Sequence, residues 1–125
     1  MGPVWDFDLG GGNADYAGAS DIEGWYTREG VWFKRLFEDP EFVKETQKRW
    51  KEIYSVYFPQ MIKRIDSEAN RIKSSAEMNF GKWKILGVYV WPNAGDVRSR
   101  KTYQSEISYL KEWLTARAEW INDNI

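Results

Sequence analysis

The stretch PQMIKRIDSEANRIKSSAEMN, residues 59–79, has the clearest repeating pattern in this sequence. Its apolar side chains recur every three or four residues, at Ile62, Ile65, Ala69, Ile72 and Ala76. Because an α-helix completes a turn in about 3.6 residues, this spacing places them all on one side of a helix. The pattern therefore predicts a helix over residues 59–79 with one apolar face, and a helical protein around it.

Three further segments show the same kind of periodicity. A short helix is predicted over residues 31–37, where Trp32, Phe33, Leu36 and Phe37 share one side. Asp39-Pro40-Glu41 predicts the start of a helix over residues 40–57, because Asp can cap, Pro suits the first position and Glu favours the positive end of the helix dipole. A last helix is predicted over residues 102–122, with a stripe at Ile107, Leu110, Leu114 and Ile121. We expect this stripe to face the stripe of residues 59–79.

The remaining segments lack helical periodicity. Residues 1–30 contain most of the glycines and are predicted to be irregular, apart from one short extended piece. They carry six carboxylates and one arginine, a charge of −5, so that a net charge of −1 leaves +4 for residues 31–125. Residues 84–91 are predicted to form a short extended segment and residues 93–100 a polar loop. The fold class predicted is mainly α: an irregular acidic N-terminal segment followed by a four-helix, bundle-like part.

The composition limits the chemistry that the chain can perform. Its 125 residues fit a single domain or a fragment of one. The absence of Cys and His excludes thiolate nucleophiles, disulfides and His-dependent triads. Any reaction must therefore use carboxylates, hydroxyls, Lys, Arg or a bound metal. The charge does not indicate a nucleic-acid partner, and no apolar run reaches the roughly 20 residues of a membrane span.

The most distinctive candidate site is VWDFD, residues 4–8, which three glycines follow. In an extended segment Asp6 and Asp8 point to the same side, where two carboxylates could bind a hard divalent cation such as magnesium. The alternative is an edge strand whose polar side faces solvent, and the residues alone favour that alternative. Gly10-Gly11-Gly12 could cradle a phosphate, but a turn is the better interpretation because the Lys-Ser/Thr of a P-loop is absent.

Two other groups give weaker signals. Asn13 and Asp15 either add oxygen ligands to such a site or are turn residues. Arg98, Arg100 and Lys101 either bind phosphates or belong to a solvated loop, and the loop is favoured.

Three segments, taken in order, resemble the CotH kinase family of spore-coat CotH-like proteins. They are WDFD at 5–8, WFKRLFEDPEF at 32–42 and EISYLKEWLTARAEWIND at 106–123, as in the C-terminal part of that family. The resemblance implies an atypical kinase-like fold, ATP and Mg²⁺ as cofactors, and a protein as phosphate acceptor. By similarity to the Asp-Phe-Gly of ordinary kinases, it also implies that Asp6 is the leading metal ligand and Asp8 the second.

The resemblance has consequences for activity. A kinase needs a phosphate-pairing lysine, a phosphate-covering loop and a catalytic aspartate, and in this family they lie upstream of the metal motif. Only five residues precede Asp6, and Met1-Gly2-Pro3 is the kind of start that a cloned fragment or truncated reading frame has. We therefore expect the catalytic base to lie upstream, no cofactor to be tightly bound here, and the chain to be inactive alone.

The partners implied are the missing N-terminal lobe and, in the full-length protein, a protein substrate. A homo-oligomer through exposed apolar surface is a further expectation, since large apolar patches seek partners. Family analogy suggests the cell envelope, a spore coat or a secreted product. The alternative function is a non-catalytic helical module of a cell-envelope protein, which binds a protein or glycan through exposed aromatic side chains.

Overall fold

The computed structural model describes residues 9–125, and residues 1–8 lie outside the described part. The helices are α1 (Val31–Leu36), α2 (Pro40–Glu52), α3 (Phe58–Arg71), α4 (Lys73–Lys82) and α5 (Tyr103–Asn124). A π-helical segment, Ile53–Tyr57, joins α2 to α3, and short 3₁₀ helices lie at Tyr26–Glu29 and Gly95–Ser99. Residues 9–125 contain no strand, only an isolated antiparallel bridge between Ala14 and Asn93. The mainly α prediction is confirmed, with an irregular segment ahead of the helices.

The start of α2 follows the capping rule on which it was predicted. The Asp39 carboxylate accepts a hydrogen bond of 2.9 Å from the backbone N–H of Glu41, and Pro40 occupies the first helical position. The start of α5 is fixed in a similar way, because Thr102 and Ser105 form a reciprocal capping box. Both helices therefore begin within one residue of the predicted positions.

The prediction of two separate helices, over residues 40–57 and 59–79, is wrong at Pro59. The helical path continues from Pro40 to Arg71 without interruption, so that α2, the π-helical segment and α3 form one long run. A proline inside an α-helix clashes with the carbonyl four residues earlier. Just before Pro59 the helix widens, and the N–H of Phe58 bonds to the carbonyl of Ile53, five residues back. This wider turn is the local adjustment that accompanies the proline, and the helix continues through it.

The end of the predicted 59–79 helix also differs from expectation. The α-helical conformation is interrupted at Ile72, with φ −98° and ψ 6°. Hydrogen bonds nevertheless continue on both sides, from the N–H of Ile72 to the carbonyl of Glu68 and from the N–H of Ala76 to the carbonyl of Ile72. The interruption is therefore a local irregularity, and α4 extends past Gly81 to Lys82. With a boundary placed at Ile72, residues 9–125 contain four α-helical segments: α1, the run from Pro40 to Arg71, α4 and α5.

The α3 and α5 helices pack along a seam that remains partly open. Side chains of both predicted stripes, including Ile65, Ala69, Ile107 and Leu110, line a common cavity. On one side the Lys111 ammonium contacts both carboxylate oxygens of Asp66, at 2.7 and 2.8 Å. The buried apolar residues of the described chain are all small: Ala14, Ala76, Ala94, Val97 and Ala118. No large side chain in residues 9–125 is fully buried, so the two stripes meet without closing a core.

Candidate functional site

The predicted metal ligands Asp6 and Asp8 lie outside the described residues, and their geometry is untested. The described chain begins at Leu9, directly after the motif. Within residues 9–125, no group of three or more acidic, His or Cys side chains is arranged to hold a metal ion. The described part of the candidate site is therefore the segment that follows the motif, together with the elements that hold it.

The turn after the motif is fixed against α5. Gly11 and Gly12 have φ +64° and +81°, a left-handed conformation that glycine adopts readily. A Cβ on Gly12 would lie 2.5 Å from the Trp113 ring and 2.7 Å from the Tyr109 hydroxyl oxygen. That hydroxyl donates a hydrogen bond of 2.9 Å to the Gly12 carbonyl. The structure thus supports the turn interpretation of the glycines, and close packing on α5 explains why Gly12 has no side chain.

The next residues pair with the segment before α5. The N–H of Ala94 donates to the carbonyl of Asn13 at 2.8 Å, and the N–H of Asp15 donates to the carbonyl of Pro92 at 2.9 Å. Asn13 and Asn93 are also joined through their side-chain amides, at 2.8 Å. Ala14 is fully buried between these bonds. This pairing clamps residues 13–15 at a fixed place relative to residues 92–94.

Asp15 is engaged within the protein. The Tyr89 hydroxyl donates a hydrogen bond of 2.8 Å to Oδ2 of Asp15. This hydrogen bond to the carboxylate raises the pKa of Tyr89, helped by the loss of solvent and by the nearby negative charge. Asp15 was predicted to be either an oxygen ligand or a turn residue. The structure supports the turn residue, because the Asp15 carboxylate joins its turn to the segment that contains Tyr89.

The same side of α5 also holds a later part of the irregular segment. Trp113 donates its indole N–H to the carbonyl of Ser20 at 2.8 Å. The Arg117 guanidinium donates to the carbonyls of Ile22 and Gly24, the latter at 2.7 Å. Desolvation lowers the pKa of Arg117. These contacts were not predicted from the sequence, although the spacing of Tyr109, Trp113 and Arg117, four residues apart, does place them on one side of a helix.

The prediction of a solvated loop is wrong for Arg100. This side chain is buried, with only 6% of its surface exposed. Its guanidinium lies 2.6 Å from the Asp96 carboxylate and 2.9 Å from that of Glu106, and it stacks 3.7 Å above the Tyr109 ring. Burial alone would lower the pKa of Arg100, but its hydrogen bonds to the two carboxylates raise it. Arg100 therefore joins the 95–99 turn to α5, and its guanidinium packs on the ring of Tyr109.

Several exposed aromatic and aliphatic side chains lie in the chain segment that leads to the clamped residues 92–94. Trp91 is 73% exposed and Trp83 56% exposed, and the ring of Trp91 stacks on Tyr16 with centroids 6.1 Å apart. Other exposed apolar side chains of this segment are Ile85, Val88 and Val90. We call these six residues the Trp91 surface. The predicted extended segment over 84–91 is irregular and contains a turn, so these side chains are not buried in a sheet.

The described residues form a helical unit to which the segment after the acidic motif is hydrogen-bonded, and the comparison with known families identifies the class. The family model described as CotH kinase protein matches residues 1–121. Because the match covers nearly the whole chain, the protein belongs to the CotH kinase family. Searches of curated proteins and of solved structures returned no match. In residues 9–125, no helix is both long enough and apolar enough to cross a membrane.

Proposed function

We propose that this chain is the C-terminal part of a CotH-like atypical protein kinase. In this proposal it contributes the metal-binding aspartates and the helices that support them, and it acts together with a nucleotide-binding lobe. The observation that carries the proposal is the family match over residues 1–121. The hydrogen bonds that tie residues 12–15 to α5 and to residues 89–94 add support, because ligands are effective only where their backbone is held in place.

Asp6 and Asp8 suit the metal that the family implies. Both are hard oxygen donors, which Mg²⁺ prefers, and Mg²⁺ commonly takes only one or two carboxylates and completes its shell with phosphate and water. When bound, the ion would neutralise charge on the phosphates of ATP. Asp15, the first carboxylate in the described part, already accepts a hydrogen bond from Tyr89. By the resemblance to the Asp-Phe-Gly of ordinary kinases, we assign the ligand role to Asp6 first and to Asp8 second.

Within this proposal, the chain is inactive alone. Phosphoryl transfer depends on several groups positioned together: a lysine on the phosphates, a covering loop, a catalytic aspartate and the metal ligands. The proposal gives this chain only the last of these. We further propose that the lobe carrying the others packs on the Trp91 surface, because exposed apolar patches mark contact sites and this one adjoins the clamped residues 13–15. By family analogy the substrate is a protein, and the place of action is the cell envelope, a spore coat or outside the cell.

The direct test is phosphate transfer from labelled ATP to a generic protein acceptor, with the chain alone and with a longer version that adds the upstream coding region. We expect activity only in the longer version, and only with a divalent metal present. Robust activity of the chain alone would contradict the proposal that a lobe is missing. A coding region that adds no lysine- and aspartate-bearing lobe would contradict the assignment as part of a kinase.

The second candidate is a non-catalytic module that binds a protein or glycan. One observation favours it: the Trp91 ring remains exposed although it stacks nearly parallel on Tyr16, at 13°, and an exposed aromatic ring held in this way suits a sugar ring. Binding of soluble glycans, followed by tryptophan fluorescence, tests this candidate. A response that is lost in Trp91→Ala but kept in Trp32→Ala, whose residue is 82% exposed on α1, would support it.

A further inference from the structure

The seam between α3 and α5 opens into an apolar groove on one side. Its lining includes Met61, Ile65, Ala69, Ile72, Ile107 and Leu110, and we call it the α3 groove. The groove encloses about 340 Å³, enough for one or two large side chains. Met61 is 42% and Ile72 44% exposed, although both belong to the apolar side of α3. Nothing within residues 9–125 covers them.

The described chain as a whole leaves more surface open than a compact protein of its size does. The chain exposes 9463 Å², whereas a compact protein of 14.8 kDa would expose about 7,000 Å². Residues 1–8 could supply at most about 1,400 Å² in any conformation, so an excess of at least about 1,000 Å² belongs to residues 9–125. A stable interface of standard size takes about 800 Å² from each partner.

The rim of the groove is complementary to itself. Arg64 and Glu68 both border it, and their side chains remain 78% and 40% exposed although they lie 3.6 Å apart within one helix. The two residues are separated by about 6 Å along the helix axis. A two-fold axis that crosses α3 midway between them, beside Ile65, would therefore set each Arg64 opposite a Glu68. The same axis would set each Met61 opposite an Ile72.

We propose that a second copy of this chain covers the α3 groove, in an antiparallel α3-to-α3 contact about that two-fold axis. Such a contact uses the same patch on both copies and closes on itself, which is the commonest form of homodimer. It would cover Met61 and Ile72, bury the open side of the seam and bring each Arg64 to a Glu68 whose carboxylate also pairs with Arg71 of its own helix, at 2.6 Å. The proposal does not depend on the kinase assignment, because it uses only residues of α3 and α5.

Sedimentation equilibrium on the purified chain tests the proposal. We expect a monomer–dimer equilibrium in which Met61→Glu and Ile72→Glu each raise the dissociation constant by more than about tenfold. Both side chains are already partly exposed, so the helical fold, checked by circular dichroism, should persist. The control is Met78→Glu on α4, which is 78% exposed and lies outside the groove, and it should leave the equilibrium unchanged.

A charge exchange tests the two-fold geometry itself. Arg64→Glu would place two acidic side chains opposite each other at both ends and should weaken the dimer. Adding Glu68→Arg should restore it, because the exchange recreates both cross-chain pairs. A chain that stays monomeric at about 100 µM, or a dimer indifferent to Met61→Glu and Ile72→Glu, would overturn the proposal. Failure of the double exchange to restore association would overturn the two-fold arrangement.

Discussion

The hydroxyl of Tyr109 donates a hydrogen bond of 2.9 Å to the carbonyl oxygen of Gly12, 97 residues earlier in the chain. This bond connects α5 to the glycine turn that comes shortly after the Asp-Phe-Asp motif in the sequence. The Arg100 guanidinium stacks on the Tyr109 ring and pairs with the carboxylates of Asp96 and Glu106. These contacts hold the ring, and with it the hydroxyl, in position. The helical unit thus holds the chain rigidly four residues after Asp8.

Gly12→Ala should destabilise the protein. Its φ of +81° costs a residue with a Cβ about 1–3 kcal/mol, and the new Cβ would lie 2.5 Å from Trp113. The Trp113 ring cannot easily move aside, since its N–H is bonded to Ser20. Urea denaturation measures the loss. The matched control is Gly81→Ala, where a Cβ meets nothing within 4 Å, and it should be neutral or stabilise by up to about 1 kcal/mol. Equal effects at the two glycines would contradict the packing described for Gly12.

Arg100→Lys should also destabilise the protein, although it keeps the charge. A lysine cannot reproduce the planar stack on Tyr109 together with the two separate carboxylate contacts. Hydrogen bonds to charged groups contribute about 1.5–3 kcal/mol each, and we expect a loss of about 1–3 kcal/mol. Arg98→Lys is the control, because Arg98 is exposed and surface changes stay within about 0.5 kcal/mol. If thermal or urea unfolding shows the same small change for both, the buried role of Arg100 is wrong.

The pKa of Tyr89 should depend on Asp15. The hydrogen bond to the carboxylate favours the neutral phenol and raises the pKa of Tyr89. A raised folded-state pKa means that this stabilisation is present below the ordinary tyrosine pKa of about 10 and is lost as the pH rises through the raised value. Tyrosine ¹³C NMR titration of Asp15→Asn should show the pKa of Tyr89 falling. Tyr26, whose pKa is raised by Asp21, should keep its value. An unchanged Tyr89 would show that the Asp15 contact is not formed in solution.

Local signals predicted much of the helical architecture. The start of α2 depends on Asp39 and Pro40, and the bonds that make it are all within a few residues. The path through Pro59 could not be predicted in the same way. Proline usually ends a helix, and only the wider turn at Ile53–Tyr57 shows why this one does not.

The supporting contacts of the candidate site could be predicted less well. Tyr109 and Gly12 are far apart in sequence, so no local pattern reports their hydrogen bond. The environment of Arg100 is more local, since Asp96 and Glu106 are four and six residues away. The polar residues around Arg100 nevertheless predicted a solvent-exposed loop. The sequence does not show that the carboxylates of Asp96 and Glu106 both contact the Arg100 guanidinium. The ligand role of Asp6 and Asp8 stays a prediction.

The measurement that tests the central claim most directly is phosphate transfer by the longer version of the protein with single substitutions in the motif. We expect Asp6→Ala to abolish turnover and Asp8→Ala to impair it less, while the circular dichroism spectrum stays helical in both. Asp123→Ala, an exposed carboxylate near the end of α5, is the control and should keep full activity. Activity that depends on a divalent metal and disappears with Asp6→Ala is the result that the kinase assignment predicts. Activity that is indifferent to Asp6→Ala would contradict the metal-ligand role and leave residues 4–8 as a structural segment.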